Sequence, residues 1–122
     1  MVRILIKIGD VIEISHRAGI SYGQVINTNK RYKFVLAVYE GSYNVRPDDL
    51  DSIVSQRVQF ITLFLVQDAV NQGIFDLIGN TSVPLNLKRF PIFRTTNNPG
   101  QGRKTMWWFW DGENEWQVDT PL

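Results

Sequence analysis

The sequence predicts a mainly β (β-rich α+β) single domain over residues 1–122: a strongly bent antiparallel sheet or incomplete barrel of roughly six to eight strands, with one short helix near 47–55. Three observations predict it. Between residues 9 and 39, apolar β-branched runs are separated by polar breaks of the kind that close hairpins. From 80 to 102, Pro84, Pro91, Pro99, Gly100 and Gly102 leave little room for regular structure. Only residues 47–54 carry a convincing helix start. The 122 residues, 43% hydrophobic and 20% charged, suit one globular core.

Ile4, Ile6 and Ile8 recur at period two, the pattern of a half-buried first strand. Gly9 and Asp10 bend it, and Val11, Ile12 and Ile14 continue as a second strand with Glu13 on its polar side. Residues 15–19 turn the chain, ending on Gly19, which can take positive φ. In the next strand Gly23 marks a bulge or a close backbone approach. Asn27, Thr28, Asn29 and Lys30 form the following hairpin loop, and the apolar run 34–39 reads as a central strand.

Residues 41–44 end that strand. Pro47 fits a first helical turn, and Asp48, Asp49 and Asp51 lie near the positive end of the dipole. Leu50, Ile53 and Val54 then share one helix face. Residues 58–66, uncharged and β-rich, read as a strand at the sheet centre, although periodicity alone also admits a helix. Residues 69–73 are a connection and 74–79 another strand. Residues 90–93 read as a short edge strand, because proline is excluded from central ladders. Residues 104–110, a turn at 111–114 and a return through Trp116 and Val118 make a C-terminal hairpin.

A net charge of +1, from 13 basic and 12 acidic residues, disfavours a dedicated nucleic-acid binder. The lack of cysteine removes disulfides, thiolate metal sites and cysteine nucleophiles, and fits a reducing cytoplasm. No apolar run approaches the roughly 18 residues of a membrane span. The first residues lack the long apolar region and cleavage site of a secretory signal, so a cytoplasmic protein is expected. The single histidine, His16, sits in a polar turn, and the adjacent Ser15 points to the opposite face of an extended chain. Gly100-Gln101-Gly102 precedes a strand instead of opening a helix, so it reads as a turn. A helix start accounts for Asp48, Asp49 and Asp51 better than a metal site does. No catalytic residue, metal or cofactor is assigned.

All four tryptophans fall at 107, 108, 110 and 116. In a strand, Met106, Trp108 and Trp110 face one side, and Trp107 and Phe109 the other. One set fills a core. Burial of the second under the 79–102 loop is the preferred reading; the alternative is an interface anchored by Trp107 and Trp116. Stacking on single-stranded nucleic acid is weakened by the acids that follow. Two acidic patches, Asp48, Asp49 and Asp51, and Asp111, Glu113 and Glu115, suit a basic partner, a solvated surface being the simpler reading of each alone.

The run Lys7-Ile8-Gly9-Asp10-Val11-Ile12-Glu13-Ile14, a turn, then Tyr22-Gly23-Gln24-Val25-Ile26, resembles the start of the immunity protein 26 family of bacterial polymorphic toxin systems. The resemblance continues through Gly73-Ile74-Phe75-Asp76-Leu77-Ile78-Gly79 and Phe90-Pro91-Ile92-Phe93 to the C-terminal aromatic strand and Asp-Gly turn, covering about residues 5–118. Phe75 stands where tryptophan is expected more often. The resemblance implies a non-catalytic protein that neutralises a cognate toxin in the cytoplasm by binding it. The same opening pattern is also similar to small SH3-like barrels, including KOW-type modules that bind RNA or ribosomal components. Toxin nucleases of the MazF and PemK type open similarly but carry an Arg-Pro that Gly23-Gln24-Val25 lacks. The barrel reading requires Lys30, Arg31, Lys33, Lys88, Arg89, Arg103 and Lys104 to converge on one face.

Overall fold

The computed structural model describes residues 4–30, 33–96 and 106–119, by backbone alone at 33, 94–96, 106–107 and 118–119. The chain divides into two compact units, Met1–Lys88 and Arg89–Leu122.

The first unit is built on a five-stranded antiparallel sheet. Its strands are β1 (Asp10–His16), β2 (Gly19–Asn29), β3 (Lys33–Tyr39), β4 (Val58–Phe64) and β5 (Phe75–Asn80), in the order β4-β3-β2-β1-β5. β1, β2 and β3 are the predicted meander, joined by short turns. β4 and β5 remain as separate edges, so the sheet is not closed into a barrel.

Alternation along the strands gives the sheet two apolar faces. Ile12, Val25, Leu36 and Val38 cluster with Val66 and Ala69 of helix α2 (Val66–Asn71). Val11, Tyr22 and Tyr39 cluster with Ile53 and Val54 of helix α1 (Leu50–Val54). Each helix is thus held by one face of the sheet, and fully burying one such side chain contributes about 1.5–3 kcal/mol. Asp49 caps α1, its side chain accepting from the Asp51 amide at 2.9 Å.

Gly23 is a close approach: a Cβ there would lie 3.0 Å from the Ala37 carbonyl oxygen and 3.1 Å from Leu36 Cδ1. The bulge itself falls further along β2, where the register against β3 shifts between Val25 and Asn27.

The second unit carries a three-stranded antiparallel sheet of β6 (Phe93–Thr96), β7 (Met106–Trp110) and β8 (Glu115–Asp119), with β7 central. The predicted C-terminal hairpin is β7–β8. Phe90 meets the Trp110 ring edge-on at 5.5 Å, and Phe93 lies 6.0 Å from it. Phe109 stacks on Trp116 at 5.9 Å.

Four expectations are corrected. Residues 4–8 form no strand; Ile6 is buried against α2 through the Ile6 amide's hydrogen bond to Gln67 Oε1, 2.9 Å. The uncharged strand β4 is an edge, not the sheet centre, and Phe60 and Phe64 remain exposed. Residues 66–71, expected to be strand end and connection, form the second helix. Its N-cap, Leu65, makes no side-chain capping bond, so the start signal that betrays α1 is missing. The short strand expected at 90–93 begins only at Phe93, beyond Pro91.

Candidate protein-binding surfaces

The ionisable and polar groups drawn into the first unit are committed to one another. Glu13, on β1, is buried on the α1 side of the sheet. Arg46 reaches it from the loop before α1, donating from Nε to Oε2 at 2.7 Å and from Nη2 to Oε1 at 3.2 Å. Tyr22, on the neighbouring strand, donates its hydroxyl to Oε2 at 3.0 Å. The Arg46 bonds hold the Glu13 carboxyl below its ordinary value of 4.5 against the opposing effect of burial. Burial, reinforced by Glu13, pushes the Tyr22 phenol up to about 12.

Gln24 is fully buried two residues along the same face of β2. Its amide donates to the carbonyls of Gly9 at 3.3 Å, Thr81 at 3.0 Å and Ser82 at 3.4 Å. Its carbonyl accepts from the Tyr39 hydroxyl at 3.1 Å. Asp10, also buried, accepts from the Lys7 amide and from Asn80 Nδ2, both at 2.9 Å. These groups pin the entry and exit loops to the sheet. The long-range pairings could not be read from sequence spacing, since Glu13 and Arg46 are 33 residues apart.

The predicted interface residues fall into both units. At the start of α1, Asp48, Asp49 and Asp51 are exposed, but Asp49 is spent on the cap and Asp51 accepts from the Thr81 hydroxyl at 2.6 Å. In the β7–β8 turn, Asp111 Oδ1 accepts from the amides of Glu113 at 3.0 Å and Asn114 at 2.7 Å, which hold its carboxyl below the ordinary range. Glu113 and Glu115 are exposed. Trp116 is 38% exposed, its ring stacked on Phe109. Trp107 pairs by backbone with Thr96 and Val118, and its side chain lies outside the described residues. The acids therefore sort into engaged ones, Asp49, Asp51 and Asp111, and the exposed Asp48, Glu113 and Glu115.

His16 ends β1, exposed, its Nε2 2.6 Å from the Ser21 hydroxyl. Ser21 lies across the hairpin and also donates to the Gly41 carbonyl, so this contact braces a turn. Among the described residues, no group of three His, Asp or Glu side chains could hold a metal ion. Of the cations the barrel reading needs, Lys30 lies in the β2–β3 turn, and Lys88 follows a single 3-10 turn at Leu85–Leu87. Arg89 belongs to the second unit, and Arg31, Arg103 and Lys104 lie outside the described residues. Two open clefts flank the 81–88 segment. One, of ≈ 540 Å³, is lined by Val54, Arg57, Val58, Val83 and Leu87; the other, of ≈ 440 Å³, by Ile8, Ile26, Asn27, Asn80 and Lys88. No helix among the described residues is long and apolar enough to cross a membrane.

No curated protein and no solved structure matches the chain. One family does: the model described as immunity protein 26 matches residues 7–104, spanning the meander, both helices, β4, β5 and β6. With most of its length matched in this way, the chain belongs to the immunity protein 26 family.

Proposed function

We propose that this immunity protein neutralises one cognate toxin of a bacterial polymorphic toxin system by direct stoichiometric binding, in the cytoplasm of the cell that makes it. The family match over residues 7–104 carries the reading. The polar interior supports a binding rather than a catalytic role, because Glu13, Asp10 and Gln24 are each engaged by partners that fasten the fold. The proposed contact residues are Asp48, Asp49 and Asp51 in the first unit and, in the second, Asp111, Glu113 and Glu115 with Trp107 and Trp116 as anchors, a basic partner docking on either patch. Acids of this kind steer a basic partner and set its register more than they add affinity.

The test is to mix the purified chain with the toxin domain encoded immediately upstream of its gene. A one-to-one complex and loss of toxin activity are expected. Absence of a complex at about micromolar concentration, with the toxin still active, sinks the proposal.

A further inference from the structure

β4 is an edge without the usual protection. Natural edges are blunted by lysine, proline or an inward charge, because a free row of backbone N–H and C=O groups invites another strand. The opposite edge, β5, carries Asp76 and ends in Asn80, whose side chain is tied to Asp10. β4 reads VQFITLF: seven residues with no charge, no proline and no glycine. Phe60 is 49% and Phe64 42% exposed, and Leu65 just beyond is 54% exposed. β4 pairs with β3 on one side only among the described residues.

The sequence of this edge is also complementary to itself. Antiparallel pairing of two copies about a two-fold axis at Thr62 sets Thr62 opposite Thr62, Ile61 opposite Leu63, and Phe60 opposite Phe64 on both sides of the axis. Aromatic pairs and threonine pairs are among the favourable cross-strand contacts. Opposed residues point to the same face of a continuous sheet, so Phe60, Thr62 and Phe64 of both copies form one apolar stripe. Phe64 already stacks on Phe75 at 5.3 Å, which extends that stripe into the core behind it. No like charges meet anywhere along the seven residues.

We infer that β4 is a self-association edge, and that its occupant is the β4 strand of a second copy of this chain, giving a symmetric dimer with one ten-stranded sheet (two sheets of five strands). The interface is isologous, as a two-fold requires. It shares no residue with the acidic patches proposed for the toxin.

Sedimentation velocity on the full chain is expected to show a species of twice the 14.1 kDa chain mass at about 100 µM. Thr62→Lys and Thr62→Glu each place like charges face to face across the axis. Each is expected to weaken dimerisation about tenfold or more while keeping the native circular dichroism. An equimolar mixture of the two variants is expected to recover the dimer, because opposite charges then meet. Should either variant misfold, Thr62→Cys in this cysteine-free chain gives the second readout: oxidation is expected to yield a covalent dimer, and the control Glu40→Cys is not. A monomeric wild-type chain, a dimer indifferent to both charged variants, or a mixture that stays monomeric overturns the inference. So does a monomer whose Thr62→Lys variant loses toxin binding, since that outcome places a toxin strand on this edge instead.

Discussion

The Arg46 guanidinium closes over the Glu13 carboxylate, with Nε 2.7 Å from Oε2 and Nη2 3.2 Å from Oε1. Arg46 is half exposed while the Glu13 side chain is almost covered. The pair therefore ties a surface loop to a buried position on β1.

Arg46→Met should destabilise the chain at neutral pH, by leaving a buried carboxylate with Tyr22 alone. Glu13 titrates lower folded than its ordinary value of 4.5, so the stabilisation is full above that value. It is lost as pH falls through the lower, folded value. The gap in melting temperature between wild type and variant should accordingly be widest near neutrality and close on acidification. A gap independent of pH would mean that Arg46 contributes packing only.

Tyr39 and Gln24 give the alkaline counterpart. Burial pushes the Tyr39 phenol up to about 12, and its hydroxyl donates to Gln24 Oε1. The unfolded chain releases this proton near 10 while the folded chain retains it, so stability must fall as pH rises from about 10 toward 12. Tyr39→Phe should cost about 1 kcal/mol at neutral pH and flatten that alkaline decline in denaturant titrations. Gln24→Leu should cost more, about 2–3 kcal/mol, because it strips a hydrogen bond from the Thr81 and Ser82 carbonyls and leaves the buried Tyr39 hydroxyl without its partner.

Elements set by local chemistry were legible in the sequence. Short polar breaks make β1, β2 and β3 neighbours, although Asn27, Thr28 and Asn29, read as loop, extend β2, and Pro47 with the acids that follow it marks α1 to within a turn. What depends on distant neighbours was not. Ile4, Ile6 and Ile8 have strand periodicity, but no strand among the described residues pairs with them. The uncharged run of β4 looks central, because composition does not reveal that one side of its ladder lacks a partner among the described residues. For the candidate surface, residue types were readable but not their engagement. Asp49 and Asp111 look like any surface acid until their backbone partners are seen.

Gly9 joins the entry segment to the central strand β2 and to the chain just past β5. It adopts φ +94, its amide donates to the Val25 carbonyl at 2.8 Å, and its carbonyl accepts from the Thr81 amide at 3.1 Å. A Cβ would lie 2.8 Å from the Thr81 carbonyl oxygen. Gly9→Ala should therefore lower stability by about 1–3 kcal/mol, read from the denaturant midpoint. Gly73, also at positive φ but with open space around it, should lose about 1 kcal/mol on the same change. Equal losses at the two sites would show that the contact with Thr81 adds nothing.

The acidic surface can be tested without disturbing the fold if its members are separated by what they hold. Asp48, Glu113 and Glu115 are exposed, whereas Asp49 caps α1 and Asp111 fastens the β7–β8 turn. Converting Asp48, Glu113 and Glu115 to the corresponding amides should leave stability within about 0.5 kcal/mol. Asp49→Ala should cost about 1 kcal/mol through the lost cap alone. If either acidic patch receives a basic toxin face, the triple-amide variant should bind the toxin more slowly, with a weaker dependence of the association rate on salt than the wild type shows. Surface plasmon resonance at two ionic strengths separates these effects. An unchanged association rate and salt slope in the triple-amide variant would remove the electrostatic part of the proposed interface and leave the exposed edge of Trp116 as the anchor to pursue.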